Sequence, residues 1–276
     1  MAKRKIGVIV YLADNPQMVL DRVKSLGFDN IQTGAPSDRF FRSPERENLK
    51  RMIKDSGIEI TTMFVCFPEE DYSSIQKIHG TGGFVPKEFR EKRTEYGKRV
   101  AELAAFLGIK QIAAHLGFIP EDRDSLDYKD LVSRVRQIAD VCNAHGLTFG
   151  FETGQEKATT LVQFIKDVAR DNIHVNFDPA NMILYGSGDP LEALDLLGPY
   201  VGGVHGKDGV WADPDKRGKE WGKEVPLGEG DAQWEKIIDK LNDIGYTGPI
   251  TIEREIPGEQ QTIDIKKARA FLEARW

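Results

Sequence analysis

The sequence predicts a single-domain (β/α)8 TIM barrel spanning residues 1–276, and three observations predict it. Strand-like and helix-like segments alternate from end to end in eight pairs, with no low-complexity linker or composition break to mark a second domain. Alternate residues of the later strands sort into an apolar set and a small or polar set, as expected where one face meets a helix layer and the other a barrel interior. Polar residues at strand ends recur at the length of one strand-plus-helix unit: Asp178 follows Glu152 by 26 residues and His205 follows Asp178 by 27. A chain of 276 residues is long enough for one large core.

The strands are read, in order, over residues 6–12, 30–34, 59–67, 111–116, 147–153, 173–178, 201–207 and 249–255, each a short apolar run. Helical patterns follow each of them. They are clearest over 87–107, 129–144, 160–170, 190–197, 232–244 and 263–274, where apolar residues recur at helical spacing. Gly27, Gly57, Gly108, Gly146 and Gly245 fall just past helix ends, where a left-handed cap favours glycine. Two strand-to-helix connections, 68–86 and 209–230, are far longer than usual and would rise on one face as a lid or as oligomer contacts. The run Pro226-Leu227-Gly228-Glu229-Gly230-Asp231 reads as a turn rather than a phosphate cradle, with Asp231 as the cap of the next helix.

The net charge of −6 argues against a nucleic-acid partner and for a small polar substrate. No apolar stretch approaches a membrane span, and the opening Met1-Ala2-Lys3-Arg4-Lys5 leads straight into a strand without a signal-like region, so a soluble cytoplasmic protein is expected. Cys66 and Cys142 lie far apart and read as buried thiols in a strand and a helix.

Parity carries the chemistry. In the fifth strand Thr148, Gly150 and Glu152 share a face opposite Leu147, Phe149 and Phe151; in the sixth, His174, Asn176 and Asp178 do so. Gly203, His205 and Lys207 share a face of the seventh, and Thr251, Glu253 and Glu255 a face of the eighth. Glu152, Asp178, His205 and Glu253 therefore point into the barrel near its carboxyl end, where barrel enzymes keep their chemistry. Buried carboxylates converging there would repel one another unless a cation sat among them. Three carboxylates and an imidazole suit one divalent ion, with Mn2+ the leading candidate and Co2+, Mg2+ or Zn2+ as alternatives. His115 on the fourth strand also points inward, as do Asn181 and Lys207 beside the ligands. Lys207 is expected either to neutralise a developing oxyanion or to pair with Asp208. His79, His145 and His174 are assigned no role in the site.

At this point the chain resembles the xylose isomerase-like barrel superfamily and, within it, the sugar phosphate isomerase/epimerase family. The resemblance rests on Phe151-Glu152-Thr153-Gly154-Gln155-Glu156, Asn176-Phe177-Asp178-Pro179-Ala180-Asn181, Val204-His205-Gly206-Lys207-Asp208, the turn at 225–230, and Ile252-Glu253-Arg254-Glu255. It implies that Glu152, Asp178, His205 and Glu253 bind one metal and that Glu152 and Glu253 act as an acid/base pair. It also puts His115, Asn181, Lys207, Glu156 and Trp211 against the substrate. Ketohexose 3-epimerases usually carry a histidine where this chain has Asn181 and an arginine where it has Trp211, so free-ketohexose specificity does not carry over. Asn181 also counts against the endonuclease IV branch, which needs a histidine there.

The reaction expected is metal-dependent proton abstraction next to a carbonyl of a sugar or sugar phosphate, giving an epimer or isomer through an enediolate. Dehydration, β-elimination from an oxidised glycoside, and sugar binding without turnover are the alternatives. The expected partner is a small carbohydrate, with homo-oligomerisation left open.

Overall fold

The computed structural model describes residues 4–276, so Met1, Ala2 and Lys3 of the opening segment lie outside the described residues. In chain order the elements are β1 (Ile6–Tyr11), α1 (Pro16–Ser25), β2 (Asn30–Gly34), α2 (Glu45–Ser56), β3 (Glu59–Phe64) and α3 (Ile75–Thr81). There follow α4 (Lys87–Leu107), β4 (Gln111–Ala114), α5 (Leu126–Ala144), β5 (Thr148–Glu152), α6 (Ala158–Val168) and β6 (Ile173–Phe177). The chain ends with α7 (Pro179–Tyr185), α8 (Pro190–Leu197), β7 (Val201–Gly206), β8 (Asp208–Val210), β9 (Lys223–Val225), α9 (Trp234–Asp243), β10 (Ile250–Ile252) and α10 (Glu259–Glu273). Eight strands close a barrel in the order β1, β10, β7, β6, β5, β4, β3, β2, with parallel pairing throughout.

The helices form where the apolar period meets the barrel wall. Trp234, Ile237, Ile238 and Leu241 are the buried stripe of α9, and Leu131, Val132, Val135, Ile138, Ala139 and Cys142 continue one along α5. Each buried aliphatic side chain of such a stripe contributes about 1.5–3 kcal/mol, so these stripes hold the outer ring on the sheet. Ser125 starts α5 by accepting from the Tyr128 amide at 3.2 Å, and Asp189 starts α8 by accepting from Leu191 and Glu192. Gly57 and Gly108 adopt left-handed backbone at the ends of α2 and α4, as the caps require.

Three expectations need correction. Except for β2, which keeps 30–34, the strands are shorter than their apolar runs; the eighth pairs only over Ile250–Ile252 rather than 249–255, because the Glu255 amide leaves the ladder for the Glu224 carboxylate. Asp231 does not cap α9: Gln233 occupies the cap position, while Asp231 accepts from the Trp211 amide at 3.0 Å. Cys66 lies beyond β3 and opens onto a cavity instead of being buried in a strand, whereas Cys142 is buried in α5 as expected. Of the two long connections, the first contains α3 and the second folds into the antiparallel β8–β9 ribbon. No helix among the described residues is long and apolar enough to cross a membrane.

Candidate metal centre and active site

Interior-facing residues crowd the barrel axis. A side chain at Gly150 would meet His174, and one at Gly203 would meet Asn176 Oδ1 at 2.4 Å, so these glycines leave room for the polar side chains beside them. Above this layer, at the carboxyl end, Glu152, Asp178, His205 and Glu253 each place a ligand atom within 4.8 Å of the others; all four are buried. Among the described residues it is the group whose side chains could hold a metal ion.

Each ligand is held by its strand and by its neighbours. Glu152 closes β5, and Asp178 immediately follows β6. Thr153 Oγ1 accepts from the Asp178 amide at 2.8 Å and donates to the Asp178 carbonyl at 2.9 Å, tying the two strand ends together. Asp178 Oδ1 caps α7 by accepting from the Asn181 amide at 2.9 Å, which leaves Oδ2 free to face the cluster. Nδ1 of His205 lies 2.9 Å from Glu152, 3.4 Å from Asp178 and 3.1 Å from Glu253. Its Nε2 sits 2.6 Å from Gln32 Oε1 on β2, and Gln32 donates its amide to Asn176 Oδ1 at 3.2 Å. That relay makes Gln32 an acceptor, so His205 is protonated at Nε2 and presents Nδ1 to the cluster.

Electrostatics follow from burial and the two cations present. Burial would raise Glu253, but Lys207 and His205 hold it well below the usual carboxylate range. Burial pushes Asp178 up to about 6 against the pull of His205 and Lys207. Burial would lower His205 and Lys207, yet the carboxylates around them raise both well above their ordinary values. Lys207 contacts Glu253 at 3.4 Å, Asn181 at 3.2 Å and Glu255. It does not pair with Asp208, whose carboxylate accepts from the backbone amides of Gly209, Gly228, Gly230 and Ala232 at 2.8–3.2 Å.

A divalent ion fits this donor set. Asp178 Oδ2, His205 Nδ1 and Glu253 Oε2 are buried and lack hydrogen-bond partners, and they converge on one point. His205 Nδ1, at 2.9–3.4 Å from the carboxylates, and Lys207, at 3.4 Å from Glu253, are the charges that meet these atoms, and since none of the three atoms gains a hydrogen bond from them a divalent cation would satisfy the group better. Hard oxygen donors with one imidazole match a hard or borderline cation.

A cavity of about 610 Å3 opens above the cluster and includes Glu152, Glu253, His115, Asn181 and Lys207 in its lining. His115 Nε2 lies 3.1 Å from Glu152, and Asn181 Nδ2 lies 3.4 Å from the same carboxylate, so these two expected substrate residues meet a ligand directly, as Lys207 meets Glu253. Burial would lower His115, but Glu152, Glu70 and Glu156 raise it. Glu156 is buried behind them with both oxygens unpaired, and burial pushes it up to about 8. Trp211 is not brought to the cavity; Trp221 of the same loop lines it instead. Cys66 also faces the cavity, where desolvation pushes its thiol up to about 12. Gln32 and Glu70 were absent from the sequence reading, although the inward alternation Asn30, Gln32, Gly34 would have found the first.

A family model described as xylose isomerase-like TIM barrel matches residues 20–275. The crystal structure of a xylose isomerase domain protein from Planctomyces limnophilus is 38% identical, with a TM-score of 0.92 over 98% of this chain and 97% of that one. A D-psicose 3-epimerase of Ruminiclostridium cellulolyticum is 25% identical over 248 residues, 85% of this chain and 76% of that protein. A probable L-ribulose-5-phosphate 3-epimerase of Mycoplasma pneumoniae is 27% identical over 191 residues, 65% of this chain and 59% of its own length.

Proposed function

The chain belongs to the xylose isomerase-like TIM barrel family, and on that premise we propose that it is a divalent-metal-dependent epimerase or isomerase acting on a sugar or sugar phosphate. The observation that carries the reading is the convergence of three buried ligand atoms that make no hydrogen bond beneath a cavity walled by further acid/base groups. The sugar 3-epimerases among the relatives support the substrate class.

Glu152, Asp178, His205 and Glu253 would hold the ion, whose chemistry when bound is to polarise a carbonyl and acidify the adjacent C–H. The proton is taken by one of Glu152 and Glu253 and returned by the other. These two glutamates reach the cavity from strands separated by β6 and β7 and approach a substrate between them from different sides. Glu253 is held ionised by Lys207 and His205, so it enters the reaction as a carboxylate. His115 steadies Glu152, and Lys207 puts a fixed positive charge beside the oxygen that gains electron density. Asn181, bridging Glu152 and Lys207, orients both.

The test is solvent exchange: metal-loaded protein in D2O should introduce deuterium next to the carbonyl of a ketose. Glu253→Gln should lower that exchange by about 100-fold or more while circular dichroism stays unchanged. Near-normal exchange in the variant would remove Glu253 from the acid/base pair.

A further inference from the structure

We infer that the substrate is an uncharged sugar, not a sugar phosphate. The inference rests on the proposed epimerase or isomerase reading and narrows it. Among the described residues the cavity wall carries Glu70, Glu224 and Glu255 besides Glu152 and Glu253, which would be taken up by the ion; its basic side chains are His115, held 3.1 Å from Glu152, and Lys207. Lys207 is 2% exposed and already engaged by Glu253, Glu255 and Asn181, so it has no free face to offer a phosphate. Arg254 does not line the cavity itself: it is spent between Glu224 of the wall at 2.9 Å and Asp264 at 2.8 Å. Arg217, in the long loop over the mouth, stacks its guanidinium on Trp211 at 4.6 Å and donates towards the Ala212 carbonyl.

Backbone recognition is closed off as well. Phosphate-binding barrels gather amide groups from the loops after the last strands. Here the amides of Gly209, Gly228, Gly230 and Ala232 already converge on an anion belonging to the chain itself, the Asp208 carboxylate. A phosphate bearing about −1.5 to −2 charges would have to displace it and then face the glutamate wall. Tyr11, Tyr72, Tyr185 and Trp221 also line it, and aromatic rings suit the C–H surface of an uncharged sugar.

The experiment pairs each of several ketopentoses and ketohexoses with its terminal phosphate ester and follows deuterium entry from D2O with Mn2+-loaded full-length protein. The free sugar of at least one pair should exceed its ester by about 100-fold or more in kcat/KM, because like charges brought together at a binding site are strongly disfavoured. Glu255→Lys, compared by the ratio of the two substrates on the same protein, should shift preference about 10-fold towards the ester. An ester used as well as or better than its free sugar overturns the inference and leaves the epimerase or isomerase reading standing. An unchanged ratio in Glu255→Lys overturns the glutamate wall as its basis. Exchange into no member of any pair removes the parent reading and this inference with it.

Discussion

Replacing Gln32 by leucine keeps a buried side chain of similar size and removes the acceptor 2.6 Å from His205 Nε2. Gln32 is 2% exposed, so no bulk water replaces that oxygen. A hydrogen bond to a group that carries charge contributes about 1.5–3 kcal/mol. At 1.4 kcal/mol per tenfold, losing it should weaken metal binding by about 10- to 100-fold, the range found for partners that orient ligating histidines. Stability should fall by about 1–3 kcal/mol as well, since Asn176 Oδ1 loses the Gln32 amide. Mn2+ affinity measured by calorimetry against a competing chelator, with circular dichroism as the control for folding, separates the two effects. A folded variant whose metal affinity stays within about twofold of the parent would refute the relay.

Asp208→Asn should cost about 3 kcal/mol in chemical denaturation and expose residues 226–232 to limited proteolysis, because one carboxylate organises the amides of that loop. A variant of parental stability and protease resistance would show the loop to be held otherwise. His174 is held neutral by burial, which lowers it to about 4, and both of its ring nitrogens lack partners. Its folded value lies below its unfolded one, so its contribution to stability is present above about pH 6.5 and is lost as pH falls towards 4. Between pH 7 and pH 5 that loss amounts to about 2 kcal/mol. His174→Leu should therefore lose about 2 kcal/mol less than the parent over the same interval; equal losses would contradict the assignment.

Most of the barrel was legible because its two periods, 2 and 3.6, are written plainly into the strands and helices of this chain. Helix α7 escaped because Pro179, Ala180, Asn181, Met182, Ile183 and Tyr185 are all buried, leaving no polar face to generate a helical period. Its one local signal was the Asp178-Pro179 start. The β8–β9 ribbon escaped because strands of three residues carry too short a pattern to read. Parity puts Glu152, Asp178, His205 and Glu253 on inner faces, and the fold brings their candidate ligand atoms together. Lys207 lies between β7 and β8, where strand parity does not reach, and its pairing with Glu253 and Glu255 rather than Asp208 is a tertiary contact. Glu70 and Glu224 could not be placed, because they come from long connections whose paths depend on contacts distant in sequence, such as Arg93 binding the Thr81 and Gly83 carbonyls.

Asp178 spends one oxygen on the backbone amide of residue 181 and keeps the other for the metal cluster. A backbone amide is the same whichever side chain its residue bears. The side chain at 181 can therefore change without loosening the ligand's anchorage, even though it reaches the cavity beside Glu152 and Lys207. On the proposed function, retention of an ion and choice of substrate would thereby rest on different atoms of one residue, so that a change of side chain at 181 would alter what the barrel acts on and leave the centre intact.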